Sequence, residues 1–244
     1  MSGFRFKQFE IKQDRCAMKV GTDGVLLGAW ADGGTRILDI GSGTGLISLM
    51  MAQRFAEAHV VGIDMDDEAC QQACENVEAS PFRERVRMVH ARLQDFSVEE
   101  ALKTLGITAS ADGGVFDAIV SNPPFFVDSM KNPDNKRAMA RHTDTLPFRD
   151  LLKGVKTLLS KEGVFSVVLP KEVVEDFEAE ACISGFYLVR KCAVKTVENK
   201  LPKRYLLAFS RRRKGVYQET TEVMMDKQGK RSEWYEKITD EFYL

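Results

Sequence analysis

Short apolar runs alternate with longer amphipathic stretches along most of the chain. The apolar runs are rich in β-branched residues and are followed by turn residues, which predicts buried strands, whereas the amphipathic stretches have helical spacing. Buried strands that alternate with helices are typical of a parallel sheet with right-handed crossovers. The pattern therefore predicts an α/β fold with a doubly wound, mostly parallel, seven-stranded sheet. The predicted strands are 36–40, 60–64, 86–90, 116–121, 164–169, 186–194 and 204–210, and the predicted helices include 46–55, 66–79 and 148–159.

Three segments follow from this pattern, and we expect them to form one structural domain. Residues 1–35 precede the first buried strand, residues 36–214 contain the predicted sheet, and residues 215–244 are a polar extension expected at an edge. The apolar runs are shorter than the roughly 18 residues that a membrane span needs, and the N-terminus lacks the apolar core of a signal peptide. We therefore expect a cytoplasmic protein and, as its oligomeric state, a monomer.

Charge and metal-ligating residues narrow the possible partners. Lys and Arg number 35 and Asp and Glu number 36, and this formal net charge of −1 excludes nucleic-acid binding by the charge of the whole chain. A local basic patch that binds nucleic acid remains compatible with this net charge. The three histidines are scattered and the five cysteines form no C-x-x-C pair, so no metal site is predicted.

A glycine-rich loop follows the first predicted strand. The sequence D-I-G-S-G-T-G runs from Asp39 to Gly45, and its alternating glycines allow positive φ angles and close approach to a ligand. The dinucleotide pattern G-x-G-x-x-G would need a glycine where Leu46 stands. The Asp39 carboxylate suits a ligand with an ammonium group, and Asp64, which ends the second strand, can accept both hydroxyls of a ribose. A ribose and an amino acid without phosphates indicate S-adenosylmethionine as the cofactor.

A stiff loop follows the fourth predicted strand, where Ser121 precedes N-P-P-F-F. The prolines make the loop rigid, and Asn122 and Pro123 offer two neighbouring carbonyl acceptors. This pair matches a planar amino group on a flat ring, such as the exocyclic nitrogen of adenine. Hydrogen bonds from that amine to Asn122 Oδ1 and Pro123 O would stabilise the positive charge that develops during methyl transfer. Phe125 would stack on the base.

Together these motifs resemble the class I methyltransferases, which have a Rossmann-like fold. The string K-V-G-T-D-G-V-L-L-G-A-W, the S-N-P-P-F-F segment, Arg141-His142 and the terminal D-E-F-Y-L resemble, over nearly the whole chain, the tRNA adenine N6-methyltransferases that modify the adenosine beside the anticodon of a bacterial valine tRNA. The resemblance implies S-adenosylmethionine-dependent methylation of that N6 amine. The implied catalytic residues are Asn122, Pro123, Pro124 and Phe125, and the implied cofactor-binding residues are Lys19, Thr22, Asp23, Asp39, Gly41, Ser42, Gly43, Gly45, Asp64, Met65, Arg92 and Leu93.

Four alternative functions remain compatible with these residues. The N-P-P-F motif also resembles that of guanine N2-methyltransferases acting on rRNA and of protein glutamine N5-methyltransferases. A nicotinamide-dependent dehydrogenase would use a similar fold, although Leu46 disfavours it. A catalytically inactive RNA-binding protein would keep its basic residues and tolerate the loss of Asn122.

Two groups of basic residues are candidates for RNA contacts. Seven of the fifteen residues from 200 to 214 are basic, and such a stripe would bind phosphates. The second group follows the N-P-P-F loop and would flank an inserted nucleotide. Extruding a base from an anticodon loop costs less than extruding one from a duplex, because it is already partly unstacked. The predicted contacts are Lys200, Lys203, Arg204, Arg211, Arg212, Arg213 and Lys214 in the first group and Lys131, Lys136, Arg137 and Arg141 in the second.

Overall fold

The computed structural model describes residues 3–16, 19–108, 114–124, 146–213 and 215–244. The strands in these ranges are β1 (Phe4–Arg5), β2 (Glu10–Ile11), β3 (Arg36–Ile40), β4 (His59–Asp64), β5 (Val86–His90), β6 (Phe116–Ser121), β7 (Leu159–Pro170), β8 (Tyr187–Val197), β9 (Arg204–Ser210) and β10 (Gln218–Met225). The α-helices are α1 (Thr22–Trp30), α2 (Leu46–Arg54), α3 (Asp67–Glu78), α4 (Val98–Leu105), α5 (Phe148–Leu158), α6 (Val174–Ile183) and α7 (Glu233–Thr239). Among the described helices, none has the length and apolar character needed to cross a membrane.

Within the described residues, the main sheet has eight strands in the order β10-β8-β9-β7-β6-β3-β4-β5. The pairs from β7 to β5 and the pair of β8 with β10 are parallel, whereas β9 runs antiparallel to both β7 and β8. The predicted α/β, doubly wound, mostly parallel fold is confirmed, and the predicted number of seven strands is wrong. The eighth strand is β10, whose polar sequence lacks the apolar run of a buried strand because β10 lies at the edge of the sheet.

Helices cover both faces of the sheet. Adjacent residues of a strand point to opposite faces, and β3 shows this directly. Ile37 belongs to the apolar cluster that includes α1 and α2, whereas Leu38 belongs to the cluster formed with α4, α5 and α6. Both side chains are fully buried. The ends of the parallel strands are thereby fixed between two apolar layers.

The two ends of the chain pack against each other. The hairpin of β1 and β2 places Phe6 against Tyr243, with ring centroids 6.0 Å apart. The backbone N–H of Lys7 donates to the carbonyl of Phe242 over 2.8 Å, and the Phe242 side chain is buried. The terminal D-E-F-Y-L, which the predicted fold left without a role, therefore anchors the N-terminal hairpin.

Candidate active site

The glycine loop connects β3 to α2 and faces open space. Gly41 and Gly43 have φ angles of 72° and 52°, which side chains rarely tolerate, and an added Cβ at either position would meet no atom within 4 Å. The N–H groups of Gly41 and Ser42 both donate to the carbonyl of Ile63, over 2.9 and 3.0 Å. The loop is thus held against the end of β4 while its other side stays free for a ligand.

Asp64 ends β4 and holds the glycine loop through its side chain. Its Oδ2 accepts from the N–H of Gly43 over 2.7 Å, and its Oδ1 accepts from the N–H of Asp66 over 2.9 Å. Each carboxylate oxygen can accept more than one hydrogen bond. Asp64 can therefore keep the loop in place and still receive hydroxyl groups from a ligand.

Asn122 lies beside this loop because β6 is the neighbour of β3. Ile40 and Ser121 are paired in the register of these strands, and Ser121 Oγ donates to the carbonyl of Ile40 over 2.9 Å. The residue after Ser121 therefore reaches the same edge of the sheet as the glycine loop. We call this edge, where β3, β4 and β6 end, the carboxyl edge.

A cleft of about 510 Å³ opens at the carboxyl edge and brings most of the predicted site residues together. Its wall combines the glycine loop, the end of β4, the turn after β5 and the loop after β6. The predicted residues in its lining are Gly41, Gly43, Asp64, Met65, Arg92, Leu93, Asn122, Pro123 and Pro124. Phe125 lies outside the described residues.

The structure places six predicted cofactor residues outside the lining of the cleft. Asp23 forms an ion pair with Arg204, with 2.7 Å between Oδ2 and Nε, and the Lys19 ammonium donates to the carbonyl of Gln13. Thr22 is an exposed residue at the start of α1. The other three, Ser42, Gly45 and Asp39, are buried behind the loop surface. Their roles in cofactor binding stay predictions.

Asp39 holds the start of α2 from inside the fold. Its Oδ2 accepts from the N–H of Ser48 over 3.1 Å and from the Ser48 hydroxyl over 2.7 Å. Burial disfavours the charged carboxylate and raises the pKa of Asp39 to about 7, although the bonds from Ser48 oppose that shift. Asp39 therefore titrates near neutral pH in the folded protein.

This raised pKa predicts a loss of stability as the pH increases. Between about pH 4 and about pH 7 the folded protein keeps a proton on Asp39 that the unfolded chain releases, so the free energy of unfolding falls across this window. In the Asp39→Asn variant, which does not titrate, we expect a smaller fall. Urea denaturation of both proteins across this window measures the difference. An identical pH dependence in the two proteins would contradict the raised pKa.

The cleft also contains residues that no sequence motif indicated. Cys16 reaches it from the N-terminal segment, Gln94 comes from the turn after β5, and Leu146 precedes α5. Burial raises the pKa of the Cys16 thiol to about 11, so it is protonated at neutral pH. The sequence pattern gives no signal for Cys16 or Leu146, because only the folded chain brings their segments to the carboxyl edge.

The basic stripe of residues 200–214 is divided between two edges of the sheet. Lys200 and Lys203 are exposed at the carboxyl edge, because β9 begins there with Arg204 paired to Pro170, the last residue of β7. After the seven residues of β9, about 20 Å further on, the chain reaches the opposite edge at Ser210. The stripe is therefore not one continuous surface.

The arginines at the opposite edge, Arg211, Arg212 and Arg213, follow β9 directly. Arg211 donates to the carbonyl of Leu159 over 2.9 Å, and Arg212 forms an ion pair with Glu162 at 2.6 Å. These arginines therefore lie at the edge away from the cleft, whereas Lys200 and Lys203 lie at the same edge as the cleft. The other predicted RNA contacts, Lys131, Lys136, Arg137, Arg141 and Lys214, lie outside the described residues.

Comparison with known proteins agrees with this fold. Residues 31–232 match a family described as a methyltransferase domain. A tRNA1(Val) (adenine(37)-N6)-methyltransferase of Bacteroides thetaiotaomicron is 46% identical over 99% of this chain and 97% of its own. A protein of the same name from Tolumonas auensis is 40% identical over 99% and 96%.

The fold has counterparts among solved structures. A predicted O-methyltransferase from Agrobacterium tumefaciens superposes with a TM-score of 0.66, covering 90% of this chain and 96% of that one at 18% identity, which is a likeness of fold. The fold and the matched domain together define a methyltransferase. The chain belongs to the tRNA1(Val) (adenine(37)-N6)-methyltransferase family, and the resemblance noted in the sequence is confirmed.

Proposed function

We propose that the protein methylates the N6 amine of an adenosine in tRNA, in the cytoplasm, with S-adenosylmethionine bound in the cleft. We further propose that the target lies beside the anticodon of valine tRNA, which the names of the relatives support. One structural observation carries the proposal. The residues that suit the cofactor, Gly41, Gly43 and Asp64, line the same cleft as Asn122 and Pro123, which suit the amine.

The described residues fit S-adenosylmethionine. The open space at Gly41 and Gly43 leaves room for a ligand against the bare backbone, and Asp64 has lone pairs left for the ribose hydroxyls. Met65, Arg92 and Leu93 continue the wall beyond Asp64, where the adenine would lie. When bound, S-adenosylmethionine supplies an electrophilic methyl group on a positively charged sulfur.

The protein's task in the reaction is to hold and polarise the target amine. The lone pair of the adenine amine is delocalised into the ring, which makes the nitrogen a poor nucleophile. Asn122 Oδ1 and Pro123 O would accept its two N–H groups and favour a pyramidal nitrogen, and they would stabilise the charge that develops on it. Holding the amine in line with the methyl group supplies much of the remaining rate enhancement. The proton can leave after methyl transfer, so this mechanism requires no titrating general base.

Calorimetric titration tests the cofactor assignment. We expect the protein to bind S-adenosylmethionine and not NAD, because Leu46 breaks the dinucleotide pattern and the Asp64 carboxylate, which lines the cleft beside the loop, would repel a pyrophosphate. Tight binding of NAD without binding of S-adenosylmethionine would overturn the assignment and favour a dehydrogenase.

The division of the basic stripe predicts which residues bind tRNA. We expect the double variant Lys200→Ala/Lys203→Ala to bind tRNA more weakly, because both lysines lie at the carboxyl edge with the cleft. The slope of log Kd against log salt concentration should decrease by about 1 for each phosphate contact removed. Fluorescence anisotropy with labelled tRNA at several salt concentrations measures both effects.

The double variant Arg212→Ala/Arg213→Ala is the matched control for this measurement. It removes the same charge from the opposite edge, where we expect little effect on tRNA binding. Equal losses of tRNA affinity in the two double variants would show that the lysines contribute no more to tRNA binding than the arginines do. A loss confined to the arginine variant would move the interface to the opposite edge.

A further inference from the structure

The buried side chain of Asn76, on α3, joins three parts of the chain. The residue is 1% exposed, and its carboxamide makes three hydrogen bonds of 2.9 Å. Oδ1 accepts from the N–H of Lys12, and Nδ2 donates to the carbonyls of Lys12 and Thr44. Both donors and the acceptor of the amide are therefore used on backbone groups of other segments.

The bond to Thr44 holds a buried residue of the glycine loop that does not line the cleft. Thr44 stands between Gly43 and Gly45. The N–H of Gly43 donates to Asp64, and Gly45, with a φ of 80°, is the N-cap residue of α2. Two side chains of the β4–α3 unit thus hold consecutive residues of the loop. Without Asn76 the Thr44 carbonyl would lose this partner in a buried environment, and buried polar groups without partners are costly.

The bonds to Lys12 begin a series of contacts between α3 and the N-terminal segment. One turn earlier on α3, the buried Gln72 accepts from the backbone N–H of Arg15 over 3.4 Å. The Arg15 guanidinium pairs with Glu75 on the same face of the helix. The next residue is Cys16, a buried part of the cleft wall. Asn76 therefore joins the glycine loop to the N-terminal segment, and Gln72 and Glu75 hold the part of that segment next to the cleft wall.

We propose that Asn76 is a positioning residue for the cofactor. It touches the loop and the N-terminal segment rather than the ligand, and it sets the spacing between them before the cofactor binds. A loop that is ordered in advance does not have to be ordered at the expense of binding free energy. The inference rests on the proposed cofactor and is independent of which nucleic acid is methylated.

The test compares Asn76→Ala with Gln72→Ala. Both variants remove a buried amide from the same face of α3, but only Asn76 bonds the glycine loop. We expect Asn76→Ala to raise the Kd for S-adenosylmethionine about tenfold, as loss of one or two net hydrogen bonds would. In the cofactor-free protein, the amides of Gly41, Ser42, Gly43 and Gly45 should exchange hydrogen faster than in the wild type. Gln72→Ala should lower the melting temperature and leave loop exchange unchanged, and it should raise the cofactor Kd less than Asn76→Ala does, because Gln72 contacts the N-terminal segment and not the glycine loop.

Each outcome bears on one claim. If wild-type protein does not bind S-adenosylmethionine, the proposed cofactor is wrong. If the wild type binds it and Asn76→Ala matches Gln72→Ala in loop exchange and in Kd, Asn76 is merely structural and the inference is overturned. If Asn76→Ala does not fold, Asn76→Leu, which has a similar volume but no hydrogen-bond donor for the Thr44 carbonyl, is measured in the same way. Normal exchange and normal Kd in Asn76→Leu would likewise count against the inference.

Discussion

Replacing Asn122 with alanine is expected to lower turnover about 10²- to 10³-fold, the usual cost of losing one preorganised hydrogen-bond partner of the transition state. Asn122 lines the cleft together with the glycine loop, which is the placement that amine binding requires. In the proposed mechanism its Oδ1 is one of two acceptors for the target amine. The alanine variant keeps the cleft and loses this acceptor.

The measurement for Asn122 is single-turnover methylation with saturating tRNA and cofactor. The Kd for S-adenosylmethionine should be unchanged in Asn122→Ala, because the proposed role concerns the amine alone. Asn122→Asp keeps an acceptor oxygen at the same position and should recover part of the rate. Turnover equal to wild type in Asn122→Ala would remove Asn122 from the mechanism, whereas absence of turnover in the wild-type protein would favour a catalytically inactive RNA-binding protein.

Replacing Asp64 with alanine is expected to act on the cofactor rather than on turnover. A hydrogen bond to a charged group contributes about 1.5–3 kcal/mol, so losing the carboxylate should raise the Kd for S-adenosylmethionine about 10- to 100-fold. Part of this loss would come through the loop, because Asp64 also holds the N–H of Gly43. Isothermal titration calorimetry measures the change directly.

Asp67→Ala is the matched control for Asp64. Asp67 is an exposed carboxylate in the first turn of α3, three residues further on, and it does not line the cleft. Its replacement removes the same charge from the same region and should leave the cofactor Kd almost unchanged. Similar losses of cofactor affinity in both variants would indicate a general effect of negative charge. An unaltered Kd in Asp64→Ala would contradict the proposed binding of the ribose by Asp64.

The sequence predicted the elements whose signals are local. β3, with apolar residues before a glycine loop, and α3, with acidic residues in its first turn, both match their predicted ranges closely. β10 escaped prediction because an edge strand paired on one side needs no apolar run, and its residues Gln218–Met225 are mostly polar or partly exposed. β1 and β2 have two residues each, which is too short to show the alternation of apolar and polar positions that predicts a strand.

The site was predictable where a residue directly follows a strand. Gly41, Asp64 and Asn122 each come at a strand end, and parallel strands bring their ends to one edge. Contacts made across the fold left no local signal. Asp23 and Arg204 pair from segments far apart in the chain, and the basic stripe divides because β9 carries its two halves to opposite edges.

The most direct test of the proposed activity is nucleoside analysis of tRNA methylated by this protein. Unmodified tRNA, including valine tRNA, is incubated with the protein and methyl-labelled S-adenosylmethionine, digested, and separated into nucleosides. We expect label in N6-methyladenosine, with valine tRNA as the preferred substrate. Label in N2-methylguanosine alone, or no label in tRNA when the protein binds the cofactor, would contradict the proposed activity.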